Sequence, residues 1–433
     1  MNILFIENKI RADKLGICYL SRILKDAGHQ VDMIQNAVDP AEEYLKIHPV
    51  DFVMWSVSSG EQNWVFSKNR ELKSKFKFIS VVGGPHFTYF PEQGEKDPYI
   101  DFVVRGPGES VILDIVEGRI KKKVIKGHIS DFLQVKFPDR SLIYKYEEFG
   151  KSPMKRFMSS YFCQKGNCAY CFNHVFRELY KEEKDKIRQI IPVDTIVAEI
   201  LEVKRIYGLE QAYFNNDNLA DNVDWLLEFC EKIKPLNIKF CGSVRAENVN
   251  GNLLEMMARA GCTFLNMALE SGDPNTLKLL RRGGNTFEKV KTMAQAAMQF
   301  GIKIRIQNMI GLPVDDILGD ALLTLRCNQD IAPTDSWVSV YQPYGKTDLA
   351  EYCVKKGFIK SNYVAQGHYD RSQFNFPDSE KIYRLAKCWW FFVVHKVDIE
   401  FCKTIIELPL TDDQLEMLQN IRLQKSKKLL YGF

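Results

Sequence analysis

From Met1 to about Glu117, short apolar runs alternate with amphipathic stretches. Strands are expected near Asn2–Ile6, Gln30–Ile34, Asp51–Ser56, Phe78–Val82 and Asp101–Val104, with helices between them. That rhythm predicts a doubly wound α/β domain over residues 1–120. Residues 121–153 lose it and carry the turn-like Phe137-Pro138-Asp139-Arg140, so they read as a linker with a small hairpin. The alternation returns near Phe157–Phe162, Gln211–Asn215, Lys239–Val244, Thr263–Ala268, Lys303–Ile310 and Trp337–Gln342, separated by helical patterns such as Val193–Tyr207 and Asn222–Ile233. Six β/α units over residues 154–348 point to a partial, TIM-like barrel rather than an open sheet. Residues 349–433 then turn helical and irregular, end in the pattern Asp412–Leu430, and are expected to cover one mouth of the barrel.

Composition narrows the function classes. Hydrophobic residues make up 45% of the 433 and charged residues 26%, the balance of an ordinary globular protein. Net charge is only +4, and the one basic run, Lys425 to Lys428, lies in the tail, so a nucleic-acid partner is not expected. The longest apolar run, Cys388 to Val394, is far short of the roughly 20 residues of a membrane span and reads as a buried helix. Met1 leads directly into Ile3-Leu4-Phe5-Ile6 without the features of a secretory signal, so a cytoplasmic protein is expected. Cys18, Cys230, Cys241, Cys262 and Cys327 sit singly in apolar surroundings, as inert core thiols of a reducing compartment do.

One group of cysteines is clustered. Cys163, Cys168 and Cys171 form a C-x4-C-x2-C loop directly after the first expected barrel strand, at the strand end where such barrels keep their chemistry. Three thiolates can hold three irons of a [4Fe-4S] cube and leave the fourth open to a ligand. The alternative is a structural zinc site made of the same cysteines and His174.

The loop resembles the signature of the radical S-adenosylmethionine (SAM) superfamily, which is usually C-x3-C-x2-C with an aromatic residue before the last cysteine. Tyr170 fills that aromatic position, and the one extra residue is expected to be absorbed by a turn at Gly166. Further landmarks follow at successive strand ends: Phe214-Asn215-Asn216-Asp217, Gly242-Ser243-Val244-Arg245, Leu269-Glu270-Ser271-Gly272, Ile310-Gly311-Leu312-Pro313 and Gln342-Pro343-Tyr344-Gly345-Lys346-Thr347. The resemblance implies a [4Fe-4S] cluster on the three cysteines and SAM held by Tyr170, Asn216, Asp217, Ser243, Arg245, Glu270 and Gly311. It also implies a small-molecule substrate and an electron donor such as flavodoxin or ferredoxin.

In the first domain the informative strand ends are Ser56-Val57-Ser58-Ser59-Gly60, Gly83-Gly84-Pro85-His86 and Arg105-Gly106-Pro107-Gly108-Glu109. Glycines let a bulky ligand approach the backbone, and the absence of G-x-G-x-x-G after the first strand argues against a nicotinamide site. With Leu15-Gly16 opening the first helix, these pieces resemble the Rossmann-like cobalamin (B12)-binding domain fused ahead of many radical SAM proteins. The resemblance implies cobalamin contacts at Leu15, Gly16, Ser56, Ser58, Gly83, Gly84, Pro85, His86, Gly106, Gly108 and Glu109. The family's Asp-x-His-x-x-Gly motif is incomplete: Asp13 and Gly16 are present, but no histidine lies between Met1 and Gly16. Cobalamin is therefore expected without a histidine below cobalt, with Gln62, Asn63 and Trp64 as lower-face candidates, and His86 lining the cleft.

Two cofactor domains on one chain imply a methyltransferase acting on carbon or phosphorus. A cobalamin-dependent rearrangement, cyclisation or oxidation without methyl transfer is the second enzymatic reading. A non-catalytic metal-binding protein with a vestigial Rossmann domain is the third.

Overall fold

The N-terminal apolar runs form six parallel strands: β1 (Asn2–Glu7), β2 (Gln30–Gln35), β3 (Phe52–Ser56), β4 (Ile79–Gly83), β5 (Phe102–Arg105) and β6 (Val124–Lys126). In this computed structural model, which describes residues 1–10, 12–131, 134–363, 367 and 370–431, they pair in the order β2-β1-β3-β4-β5-β6. In β1 every residue from Ile3 to Glu7 is buried, because helices cover both faces of a parallel sheet; Leu4, Ile6, Val53, Trp55, Val82 and Val103 belong to one core. The strand order reverses between β1 and β3, which sets the switch point at the ends of those two strands.

Residues 121–153 are more ordered than a linker with a hairpin. They contribute the edge strand β6 and two helical turns, Ser141–Tyr144 and Glu147–Gly150. Buried polar bonds explain the difference. Arg140, 4% exposed, donates to Glu199 Oε1 at 2.6 Å and to Tyr144 Oη at 2.8 Å, while Asp139 Oδ1 accepts from the Ser141 backbone N–H at 3.2 Å. Phe132 and Leu133 of this stretch lie outside the described residues. Contacts group Met1–Phe157 with Tyr180–Glu210 as one unit and Met158–Leu179 with Gln211–Phe433 as another.

A short strand, β7 (Met154–Phe157), ends at the residue where the expected strand, Phe157–Phe162, was to begin. In the second unit, β8 (Gln211–Phe214), β9 (Lys239–Val244), β10 (Cys262–Glu270), β11 (Lys303–Ile310) and β12 (Asp335–Val340) pair in chain order, all parallel. Ser159 and Ser160 leave the strand path because Asn216 binds them: its Nδ2 donates to both hydroxyls at 2.8 and 2.9 Å, and its Oδ1 accepts from the Ser159 N–H at 3.0 Å.

The apolar run Cys388 to Val394 lies in the helix Ser379–Val394, where Trp389 and Trp390 donate to Ser336 Oγ and Asp335 Oδ1. The last helix, Asp412–Tyr431, bonds the beginnings of strands. Ser426 Oγ donates to Asp335 Oδ2 at 2.8 Å and accepts from Arg305 at 2.7 Å. It therefore lies at the strands' N-terminal ends, leaving the opposite ends to the chemistry.

Candidate active site at the strand ends

The loop of residues 158–171 runs into the helix Phe172–Leu179. Backbone bonds fix its course: the Cys163 N–H donates to Asp217 Oδ2 at 3.2 Å and the Gln164 N–H to Asp221 Oδ2 at 2.8 Å, both from the segment after β8. Arg177 donates to the carbonyls of Gln164 and Lys165 at 2.7 and 2.8 Å. The turn expected at Gly166 is present, at φ +47°, and a Cβ there would press to 2.6 Å of Arg177 Cδ.

Cys163, Cys168 and Cys171 line one cavity of about 180 Å³ with Tyr170, Asn173, Asp217, Ser243, Arg245, Asn266, Glu270, Arg282 and Gln307. Strand periodicity explains much of the lining. Asn266, Ala268 and Glu270 are alternate residues of β10, and Ser243 and Arg245 stand two apart at the end of β9. Glu270 closes its strand at φ +73°, a left-handed conformation that is costly for a residue with a Cβ. Its Oε1 accepts from Tyr170 Oη at 2.6 Å, and burial with this carboxylate holds the Tyr170 phenol well above its usual range.

Each expected SAM residue has a definite place. Tyr170, Asp217, Ser243, Arg245 and Glu270 face the cavity. Asn216 does not line it; its amide is spent on Ser159 and Ser160. Gly311, at φ +73°, lies against Ile382 and Val340, away from the cavity. Asn266, Arg282, Gln307 and Asn173 were not identified from the sequence. Asn266 had a usable signal, since it lies four residues before Glu270 on the same strand.

The cavity's chemistry suits an iron-sulfur cluster with a polar ligand. Among the described residues no set of three or more His, Cys, Asp or Glu side chains is gathered around a single metal-ion position, whereas the three thiols line one cavity, as ligands to separate irons of a cluster would. They share the cavity with unpartnered buried polar atoms: Arg245 Nη2, Arg282 Nε and Asn266 Oδ1. Burial raises the Cys163 thiol and pushes Cys171 up to about 12. These thiols are protonated in the free chain, and cluster binding must release their protons. His174 does not line the cavity; Nδ1 lies 2.7 Å from the Cys171 carbonyl and Nε2 3.2 Å from Asp348 Oδ1.

In the first unit the expected cobalamin residues sit at strand ends, but several are occupied by protein packing. Gly84, at φ +87°, brings its backbone against Val57, where a Cβ would lie 2.7 Å from the amide nitrogen. Gly106, also at φ +87°, leaves room for the Tyr180 ring, whose hydroxyl donates to the Gly127 carbonyl at 2.9 Å. Gly108 packs on Leu20, and Gly83 on Val104. His86 is buried, with Ser59 Oγ at 3.1 Å and Gln93 Oε1 at 3.0 Å from its ring nitrogens. Ser56, Ser58 and Glu109 are half-buried, Gly16 and Pro85 are exposed, and Leu15 is buried at the start of the first helix. Gln62 is buried and accepts from the Gly60 N–H at 2.6 Å; Trp64 stacks edge-on against Trp55, and Asn63 is exposed.

Residues 158–320 match the Radical SAM superfamily, and residues 2–116 match the B12 binding domain. The chain therefore belongs to the radical SAM enzymes that carry an N-terminal B12-binding domain. It is 23% identical over 378 residues to the uncharacterized methyltransferase PH0819 of Pyrococcus horikoshii, covering 80% of this chain and 79% of that protein. It is 21% identical over 457 residues to the cytidylyl-2-hydroxyethylphosphonate methyltransferase of Streptomyces wedmorensis, covering 86% and 84%. A solved structure of the cobalamin-dependent SAM radical enzyme OxsB with aqua-cobalamin bound superposes with a TM-score of 0.63 at 16% identity over 86% of this chain. That likeness is one of fold, and the chain spans 58% of the length of OxsB. Among the described residues no helix is long and apolar enough to cross a membrane.

Proposed function

We propose that the protein methylates an unactivated carbon or a phosphorus centre of a small molecule. The observation that carries this reading is the presence of a B12-binding domain ahead of a radical SAM domain on one chain. The two methyltransferases it resembles support it. When bound, the [4Fe-4S] cluster and SAM supply hydrogen-abstraction chemistry, and cobalamin supplies the methyl group.

Cys163, Cys168 and Cys171 are the cluster ligands in this reading. Glu270 and Asp217 offer carboxylates to the hydroxyl and ammonium groups of SAM, and Arg245 offers its free Nη2–H. Tyr170 holds Glu270 in its cavity-facing position. In the first unit, the ends of β1 and β3 flank the switch point at which cobalamin is expected. The protein is read as cytoplasmic, reduced by a flavodoxin- or ferredoxin-type donor.

The test works whichever small molecule is the substrate. The anaerobically reconstituted, reduced protein is incubated with methyl-deuterated SAM, and bound cobalamin is analysed by mass spectrometry. Deuteromethylcobalamin is expected. On adding an extract of cells lacking the gene, S-adenosylhomocysteine and 5′-deoxyadenosine should rise together with one newly labelled metabolite. An altered metabolite without label after many turnovers, with 5′-deoxyadenosine alone, would reject methyl transfer in favour of rearrangement or oxidation.

A further inference from the structure

The three cysteines do not share one electrostatic environment. Arg245 Nη1 donates to Cys168 Sγ at 3.8 Å, and the Arg282 guanidinium lines the same cavity, its charge interacting with that thiol. Both arginines are buried, at 5% and 4% exposure. Cys163 and Cys171 instead face carboxylates: Asp217 and Asp221 beside Cys163, and Asp217 beside Cys171. The buried guanidinium of Arg245 therefore lies at Cys168, while the Asp217 carboxyl lies beside the other two thiols.

The two arginines are also unequal. Arg245 Nε donates to Glu247 Oε1 at 2.8 Å, and Lys165 binds the same carboxylate, so Glu247 offsets part of the Arg245 charge. Arg282 reaches the Ala268 carbonyl at 3.4 Å through Nη2 and keeps a buried Nε–H without a partner. Its charge faces Tyr170 and Glu270 across the cavity.

We propose that Arg245, by donating to the Cys168 sulfur, and Arg282, by its buried charge in the same cavity, are positioning residues that raise the reduction potential of the cluster. The inference rests on the reading that Cys163, Cys168 and Cys171 are the cluster ligands. One-electron reduction by the external donor takes the cluster from the 2+ to the 1+ state, adding negative charge that spreads onto its thiolates. Buried N–H donors and positive charge at a ligand sulfur stabilise that reduced state. Cys168 is thus the sulfur through which the protein eases electron entry, and Glu247 is the counterweight that limits it.

The full chain is reconstituted anaerobically, without SAM, and the potential is measured by redox titration followed by electron paramagnetic resonance. Arg245→Gln and Arg282→Gln should each shift the potential negative. Arg282→Lys, which keeps the charge, should restore most of the shift. Glu247→Gln should move the potential positive, a direction that general loosening of the fold does not produce. Iron and sulfide contents equal to wild type, with unchanged circular dichroism, establish that the variants compared are folded and loaded. Unchanged potentials in both glutamine variants, with only SAM affinity reduced, would overturn the proposal and leave the arginines with SAM contact alone. Iron retained in full by Cys168→Ala would instead overturn the ligand reading, and the proposal with it.

Discussion

Tyr170 Oη donates to Glu270 Oε1 at 2.6 Å, joining residues 100 positions apart in the chain, one on the cysteine loop and one at the end of β10. The bond ties the loop to a carboxylate whose backbone is already held at φ +73°. Losing a hydrogen bond to a charged group costs about 1.5–3 kcal/mol. Tyr170→Phe should therefore weaken SAM binding by roughly tenfold or more, since about 1.4 kcal/mol is a factor of ten. Iron content should be unchanged. Equilibrium binding of SAM to the reconstituted variant measures the first, and iron and sulfide assays the second. Wild-type SAM affinity would show that Glu270 needs no positioning.

A second prediction concerns the buried pair in the first unit. Arg140 and Glu199 meet at 2.6 Å with side chains 3% and 4% exposed, and Asp13 lies 3.8 Å from the same guanidinium. Removing one member strands the other's charge, a loss of about 3–5 kcal/mol, whereas removing both with apolar residues of similar volume is far milder. Arg140→Met should lower stability by that order, and Arg140→Met with Glu199→Leu should recover most of it. Urea denaturation of the two variants decides it; equal losses would show that packing, not charge, governs the site.

Gly106 gives a third. A Cβ at this position would overlap the Tyr180 hydroxyl, and φ is +87°. Gly106→Ala should destabilise the first unit through both strain and collision, and Tyr180→Ala in the same chain should relieve only the collision, since Phe would keep the ring carbon that lies 2.7 Å from the new Cβ. Urea midpoints of the single and double variants separate the two costs. A double variant as stable as Tyr180→Ala alone would mean that the backbone conformation carries no cost.

These residues also show which features the sequence made legible. Strands β1, β3 and β4 of the first sheet announce themselves by apolar runs, because parallel strands buried on both faces need them, whereas β11 is read from its alternation of apolar and polar residues. Three cysteines within nine positions after a strand are equally visible. Val124–Lys126 is too short to register as a strand, and Arg140 gives no sign of its burial until Glu199 is brought to it. Asn266 and Gln307 escaped because a polar residue inside a barrel strand differs from a surface one only by the face it occupies, and Arg282 because it lies in the turn after the helix Pro274–Leu279, where an arginine is ordinarily a surface residue. The glycine motif at Gly106 read as room for a ligand, yet its space is filled by Tyr180, a contact that no local pattern encodes.

The last prediction follows from Glu7, the final residue of β1, at the switch point. Its side chain is 4% exposed, Oε2 meets Lys14 Nζ at 2.6 Å, and Oε1 is buried without a partner. Burial outweighs the attraction of Lys14 and pushes the carboxyl up to about 7, from an ordinary 4.5. Below pH 4.5 the group is protonated in both folded and unfolded chains and has no effect. Between 4.5 and 7 the unfolded chain gives up its proton and the folded chain keeps it, so stability falls as pH rises, and the loss is complete above 7. At about 1.4 kcal/mol per pH unit, the full loss is on the order of 3 kcal/mol. Glu7→Gln, which mimics the protonated form, should match wild type near pH 5 and become the more stable protein by about pH 8. Trp55 and Trp64 lie in the same unit and report its unfolding by fluorescence. Urea midpoints taken from about pH 5 to about pH 8 should therefore diverge steadily between the two proteins. Midpoints that run parallel across that range would show that Glu7 is ionised throughout and that Lys14 fully offsets its burial.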